Sequence, residues 1–323
     1  MHKVPVGVLG ASGYAGRELC GLIAQHPGLQ LAFASANEQR GQRARIGAAE
    51  VTYVATEDAP LGKAEVVFTA LPHGAAATWV GNARATGARV VDLSSDFRPG
   101  IDVGNHVHAP YGLTELMRAS IPGAEIVANP GCYPTAILIA IAPLLTEGWI
   151  VPGATINVTA ASGVTGAGYS VRPDLLFAEV AEDFRAYSVG NEHRHLAEMR
   201  AVAAQLGGRD NDILFTPHLL PVARGILATI TVPVKQYVED PAALWRSCYQ
   251  GEAFIEIADQ PPSLRDVVRR NVVRLSVSKA ANVRQPTLII ISAIDNLMKG
   301  AAGQALQNAN VLLGLSEQAG LPA

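Results

Sequence analysis

Apolar residues in this chain change their spacing along its length, and the changes mark out elements. Val4–Leu9 is a nearly unbroken apolar run, the pattern of a strand buried on both faces of a parallel sheet. It runs into glycines, and beyond Gly16 the positions Leu19, Leu22 and Ile23 recur at helical spacing until His26-Pro27-Gly28 stops them. Leu29–Ser35, 65–70 and 88–93 read as further strands, with a helix over 75–86, and Ile126–Ala128 leads up to Cys132. Strand alternating with helix predicts a doubly wound, Rossmann-type α/β unit that binds a nucleotide. From residue 154 the texture changes. Segments 155–160, 212–216, 225–234 and 272–277 are strand-like with longer connections, which predicts an α+β unit built on a mixed sheet. The change of unit falls near residue 132, and a last helix over 300–313 carries small and apolar residues suited to packing back on the first unit.

Length agrees with two units, because 323 residues exceed the size at which one core usually stops growing. Hydrophobic residues make up 49% of the chain, charged residues 16%, and the net charge is −3, a soluble globular composition. No basic run invites a nucleic acid. The apolar stretch 136–145 is broken by Pro143 and is far shorter than the roughly 20 residues a bilayer span needs, so no membrane partner is expected. Met1-His2-Lys3-Val4-Pro5 leads straight into a strand without a signal-like apolar region, and a cytoplasmic location is the expectation. Cys20, Cys132 and Cys248 are too few and too scattered for a disulfide framework or a cysteine-rich zinc site.

Candidate chemistry starts at "GVLGASGYAG", with Gly7, Gly10, Gly13 and Gly16 between a strand and a helix. Glycines there allow a tight turn and close approach of a pyrophosphate, whose charge the helix N-terminus favours. The second strand ends in "AFASANEQRGQRAR". An NAD site usually has an acidic residue there, whereas a 2′-phosphate needs small polar groups and an arginine. Ser35 and Asn37 at the strand end, with Arg40 and Arg43 beyond, favour NADP; Glu38 is the dissenting residue.

In "ANPGCYPTAILIAIAPLL", Pro134 suits the first position of a helix, which puts Tyr133 at the cap and Cys132 just before the exposed amides. A thiolate there is stabilised by the helix dipole and is a better nucleophile at neutral pH. Cys20 and Cys248 sit inside amphipathic helical patterns and read as small buried hydrophobes. In "GNEHRHLAEM", His195 and Glu198 lie three apart on one helical face while His193 points elsewhere, so His195 oriented by Glu198 is the acid/base candidate. A His-x-His zinc site competes, but no further ligand cluster accompanies it, and no metal is expected. His73, His106, His108 and His218 are single loop residues.

Together "GASGYAG", "ALPHG", "DLSSDFR", "NPGCYPTA", "SGVTGAG", "HRHLAEM", "PHLLPVARGI" and "DNLMKGAAGQALQNAN" resemble the N-acetyl-gamma-glutamyl-phosphate reductase family, relatives of aspartate-semialdehyde dehydrogenase, in order along nearly the whole chain. The resemblance implies Cys132 as nucleophile and His195 as acid/base, with His193 and Glu198 beside it. It implies cofactor contacts from Gly10, Ser12, Gly13, Tyr14, Ala15, Gly16, Pro72, Asn296 and Lys299, in addition to the strand-end group. It implies substrate contacts from Arg98, Ser162, Gly163, His218 and Arg224. Two positions depart from the family pattern: Ala197 stands where proline is usual, and Thr165 where serine is commoner.

On this resemblance, 1–131 and 295–323 form the NADP-binding Rossmann domain and 132–294 the catalytic and oligomerisation domain. The expected reaction is NADPH-dependent reduction of an acyl phosphate through a Cys132 thioester, and the expected assembly a homodimer or homotetramer. Two rivals stay open at this point: a reductase of a differently acylated or carrier-linked glutamate or aminoadipate, and a non-catalytic nucleotide-binding redox sensor.

Overall fold

The computed structural model describes residues 3–47, 49–101, 107 and 109–323; His106 and His108 lie outside the described residues. The chain forms two compact units, Met1–Gly131 with Ala301–Ala323, and Cys132–Gly300.

In the first unit, β1 (Val4–Leu9), α1 (Tyr14–Gln25) and β2 (Leu29–Ser35) are followed by a hairpin of β3 (Arg43–Ile46) and β4 (Ala49–Val54). Then come β5 (Val66–Thr69), α2 (Ala76–Ala85), β6 (Arg89–Asp92), α3 (Thr114–Met117) and β7 (Ile126–Ala128). The sheet order is β3-β4-β2-β1-β5-β6-β7, parallel except where β3 turns back on β4. Val6 and Val8 of β1 are fully buried, as are Val66, Val67, Val90 and Val91 beside it, so the continuous apolar runs do mark strands covered on both faces. Aspartates at the strand ends serve the fold. The Asp96 carboxylate accepts from the Gly74 and Ala76 amides at 2.8 and 3.1 Å, ahead of α2, and from His73. Asp92 is fully buried and accepts from Thr69 and from the Ser94 hydroxyl; burial holds its carboxyl above the usual carboxylate range.

The second unit opens with α4 (Cys132–Thr146). It continues through β8 (Thr155–Gly163), α5 (Phe177–Val180), β9 (Arg185–Ala186), α6 (His195–Gln205), β10 (Asp212–Leu220), β11 (Ile226–Pro233), α7 (Ala243–Cys248), β12 (Ile255–Ile257), β13 (Val273–Lys279) and β14 (Thr287–Ile294). The mixed sheet runs β12-β13-β14-β11-β8-β10-β9. Every residue of α4 from Tyr133 to Leu145 is buried, and the helix lies against β11, β14, α6 and α7.

Pro143, expected to interrupt the apolar run, lies inside α4. Proline has no N–H for the carbonyl four residues back. That carbonyl, Ile139 O, accepts the Tyr249 hydroxyl at 2.6 Å, while Trp245 Nε1 donates to Ala140 O at 2.8 Å and Ser292 to Ala136 O at 2.9 Å. The one carbonyl freed by the missing proline amide is thus satisfied by Tyr249, Trp245 and Ser292 add donors to neighbouring carbonyls, and the helix continues.

Residues 295–300, expected with the first unit, group with the second. The reason lies in Asp295 and Asn296 at the end of β14. The buried Asp295 carboxylate accepts from the Arg269, Leu297 and Met298 amides and from Arg224, all in the second unit. The final helix, α8 (Gly303–Leu313), does pack in the first unit against α1, β6 and α3, but through polar as well as small residues. Gln304 donates to Gly112 O at 3.0 Å, Asn308 to Asn129 Oδ1 at 2.9 Å, and Asn310 Oδ1 lies 3.0 Å from His26 Nε2.

Tyr249→Phe removes the hydroxyl that stands in for the missing proline amide at Ile139 O. The expected cost is about 1–3 kcal/mol, the range for leaving a buried acceptor unsatisfied. Denaturant unfolding checks it; an unchanged midpoint contradicts the assignment.

Candidate active site

The thiol pocket belongs wholly to the second unit. The sequence placed the helix start at Pro134, whereas α4 begins at Cys132 itself, the only half-buried residue before the helix disappears into the core. Pro134 is still tolerated, because the first four amides of a helix have no intrahelical acceptor to lose. The sulfur therefore stands on the first turn, where the partial positive charge of the helix end favours thiolate. Close packing fixes it there: a β-carbon at Gly300 would lie 2.8 Å from Cys132 Cβ, so glycine is needed in the single π-turn Met298–Ala302.

Cys132 borders a pocket of about 380 Å³. Ser162, Gly163, His193, His195 and Tyr187 line it as well. Gly163 lets β8 approach the backbone at Ala223, since a β-carbon there would meet it at 2.8 Å. His193 does not point away from His195, as helical spacing implied. It precedes α6, and its ring centroid lies 4.8 Å from that of His195 and 5.4 Å from that of Tyr133. Its Nδ1 accepts the His195 backbone N–H at 3.1 Å, so the neutral ring carries its proton on Nε2 and is a donor. Burial, helped by the charge of Arg194, lowers its pKa to about 4. Glu198 is buried on α6 one turn from His195 but does not line the pocket.

Tyr187 donates to the Tyr133 hydroxyl at 3.1 Å. Burial raises both phenols, that of Tyr187 to about 12, so each keeps its proton at neutral pH. Three arginines also line the pocket. Arg172 is clamped on Asp174 at 3.1 and 2.6 Å, and Arg185 pairs with Asp183 and donates to Asp174 O at 2.7 Å. Arg194 is exposed between the two histidines. No motif singled out Tyr187, Arg172 or Arg185, which short irregular segments bring to the pocket. Arg194 was within reach of sequence reasoning, because it stands inside "HRH".

Several expected site residues make internal contacts. Asn296 is 2% exposed, donates to the Thr165 hydroxyl at 2.9 Å and accepts from the Gly225 amide at 2.8 Å. Lys299 is fully buried with Nζ 5.4 Å from the centre of the Phe254 ring. Arg224 pairs with buried Asp295 at 3.3 Å, and His218 stacks on Phe184 with ring centroids 5.1 Å apart. In the first unit Arg98 is buried and donates to Asn129 O and Leu93 O, both at 2.8 Å. Asn296, Lys299 and Arg98 are buried, whereas Arg224 and His218 are half-buried.

The glycine turn stands between β1 and α1 of the first unit. Gly10 has φ +76°, and a β-carbon would lie 2.4 Å from Ala70 O; at Gly16 one would lie 2.3 Å from Gly10 O. Gly13, by contrast, has room, its nearest contact being 3.6 Å away, and it caps α1 without a side chain over the first amides. Ser12, Tyr14 and Ala15 are half-buried around it, and Pro72 is exposed just beyond β5. At the end of β2, Ser35 is fully buried: its hydroxyl contacts Thr56 at 3.1 Å and accepts from the Gly10 amide, so it supports the turn from below. Asn37 is exposed and accepts from the Thr56 amide at 2.8 Å. Arg40 is exposed and reaches back to Asn37 O at 3.4 Å, whereas Arg43 lies on β3, 3.7 Å from Glu50.

The chain matches two family models: the semialdehyde dehydrogenase NAD binding domain over residues 5–124 and the semialdehyde dehydrogenase dimerisation domain over 132–296. It is 40% identical to the N-acetyl-gamma-glutamyl-phosphate reductase of Symbiobacterium thermophilum, over 98% of this chain and 97% of that one. To the enzyme of the same name from Acidithiobacillus ferrooxidans it is 38% identical, over 98% of each chain. Among solved structures, aspartate semialdehyde dehydrogenase II of Vibrio cholerae shares its fold with TM-score 0.76 at 20% identity, covering 97% of this chain and 99% of that one. The NADP complex of aspartate semialdehyde dehydrogenase from Candida albicans does so with TM-score 0.67 at 15% identity, covering 96% and 98%.

The lowered His193 pKa has a consequence for stability. Its folded value lies below the unfolded value of 6.5, so its contribution is complete above about pH 6.5 and is lost as the pH falls towards about 4. Melting temperatures followed from pH 7 to 4 should therefore fall, and His193→Gln should flatten part of that slope. An identical slope in the variant contradicts a buried neutral His193.

Proposed function

The chain belongs to the semialdehyde dehydrogenase family and, within it, to the N-acetyl-gamma-glutamyl-phosphate reductases, and on that premise we propose that it reduces N-acetyl-gamma-glutamyl phosphate to N-acetyl-glutamate 5-semialdehyde and inorganic phosphate with NADPH, a step of arginine biosynthesis. The observation that carries the chemistry is a partly exposed thiol on the first residue of a buried helix, opening on a pocket that holds two histidines. Nothing about that arrangement needs a metal.

The turn at Gly10 to Gly16 fits a dinucleotide: the backbone is bare at Gly13 and the first amides of α1 carry no capping side chain. Gly10, Ser12, Gly13, Tyr14, Ala15 and Gly16 would hold the pyrophosphate, with Pro72 beside them. Asn37 and Arg40 are the strand-end groups for a 2′-phosphate, with Ser35 supporting the turn. When bound, NADPH supplies hydride to the acyl carbon.

The chain's own residues do the rest. The Cys132 sulfur forms a bond to the acyl carbon as the bond from that carbon to the phosphate oxygen breaks. His195 takes the thiol proton and passes it to the departing phosphate. A thioester on Cys132 remains. After reduction the carbon–sulfur bond breaks, the electron pair returns to sulfur, and His195, reprotonated from solvent, protonates it. His193, neutral and a donor at Nε2, suits the carbonyl oxygen, where negative charge develops. Glu198 orients His195 from within α6. Ser162 and Gly163 form the pocket wall beside the thiol. The match of the second unit to a dimerisation domain supports a homodimer or homotetramer, and the reading places the enzyme in the cytoplasm.

The deciding assay runs in reverse, with N-acetyl-glutamate semialdehyde, phosphate and NADP⁺: absorbance of reduced nicotinamide should appear only when all three are present. Cys132→Ser should abolish it and leave NADPH binding intact, whereas a residual rate above about a tenth of wild type argues against covalent catalysis. His195→Asn should lose on the order of 10²- to 10⁴-fold in turnover, and His193→Asn less. The reverse ranking transfers the proton to His193.

The strand end makes a separate prediction. Arg40→Ala should raise the KM for NADPH about tenfold or more while leaving NADH kinetics unchanged, because a charge-assisted contact to the 2′-phosphate is worth roughly 1.5–3 kcal/mol. Equal loss with both cofactors points to Glu38 as the determinant instead.

A further inference from the structure

We infer that Arg194 is the residue that holds the phosphoryl group of the acyl phosphate, and inorganic phosphate in the reverse direction. The inference rests on the reaction proposed above and names the group that recognises its leaving group.

Arg194 lines the thiol pocket between His193 and His195. The pocket holds two other guanidinium groups, and both are committed. Arg172 grips Asp174 with two hydrogen bonds, and Arg185 is held by Asp183 and by the Glu179 and Asp174 carbonyls. Among the described residues Arg194 makes no hydrogen bond or ion pair with any side chain. A planar, permanently charged fork left uncommitted in a small pocket is matched to a dianion.

Two anionic groups of the substrate compete for it. The phosphate is bonded to the carbon that Cys132 attacks, so it must lie in the pocket with the sulfur and the histidines. The carboxylate is separated from that carbon by three others. Arg194 is the immediate chain neighbour of both histidines, which places its charge where the phosphate departs. The charge already acts there: with burial, it lowers the pKa of His193. A cation at this point also stabilises the phosphate as it takes the electron pair of the breaking bond.

In the reverse assay phosphate and semialdehyde are separate substrates, so their KM values read the two anions independently. Arg194→Gln should raise the KM for phosphate about 10- to 100-fold and leave that for the semialdehyde within about twofold. Arg194→Lys, which keeps the charge and loses the fork, should fall between the two and carries the test if the glutamine variant does not fold. A readout without turnover goes with it: inorganic phosphate should slow alkylation of Cys132 by iodoacetamide in the wild type and not in Arg194→Gln. An unchanged KM for phosphate overturns the inference, and so does a rise confined to the semialdehyde, which would assign Arg194 to the carboxylate. If the wild type shows no phosphate-dependent reduction of NADP⁺, the reaction itself is wrong and the inference falls with it.

Discussion

The contact between Cys132 and Gly300 is the point from which the second unit can be understood. A helix with no polar face has to be enclosed on all sides, and α4 is enclosed from Tyr133 to Leu145. Its first two residues, Cys132 and Tyr133, border the pocket. Holding the sulfur at that place requires a glycine at Gly300, where the chain passes so close that a β-carbon would sit 2.8 Å from that of Cys132. The π-turn at Met298–Ala302 and the Asp295 carboxylate anchoring its start hold that close approach, and the Tyr249 hydroxyl covers the Pro143 gap further along the helix. Placing a nucleophile on a buried helix rather than on a loop gives it little freedom to drift.

Around this fixed sulfur the polar groups divide their work by protonation state. Tyr133 and Tyr187 stay protonated, because burial makes a phenolate costly. His193 stays neutral, with one nitrogen occupied by the backbone of His195, and is left as a donor. In the proposed reaction proton transfer then falls to His195. Two of the three arginines are held in the wall by Asp174 and Asp183, and the third is the one we assign to an anion.

Continuous apolar runs showed the strands of the first unit in the sequence, and Leu29–Ser35 and Ile126–Ala128 form as expected. The same kind of run at Thr287–Ile294 was left unassigned, because eight apolar and small residues without alternation do not distinguish a strand from a buried helix. The β3–β4 hairpin escaped for a different reason: β3 exposes Arg43 and Arg45 and reads as a loop, although Val51 and Tyr53 of β4 are buried around exposed Thr52. The place of Cys132 at a helix start was legible because Pro-Gly before it and Tyr-Pro after it set the backbone there. The internal partners of Arg98, Asn296 and Lys299 were not, since residue type reports what a side chain is able to bind and says nothing of what the fold packs against it. The start of α6 at His195 shows the limit of spacing arguments, for two residues of error at a helix end moved His193 from the wrong face into the pocket.

The central claim is that acyl transfer to Cys132 precedes reduction. Mixing the enzyme with N-acetyl-gamma-glutamyl phosphate in the absence of any nicotinamide cofactor, quenching in acid and weighing the peptide that contains Cys132 tests it most directly. The account predicts an N-acetyl-glutamyl adduct on that peptide alone, labile to hydroxylamine and discharged by NADPH, with one phosphate released per adduct. Unmodified Cys132 after phosphate release, or a gain of one oxygen in place of the acyl group, would contradict it.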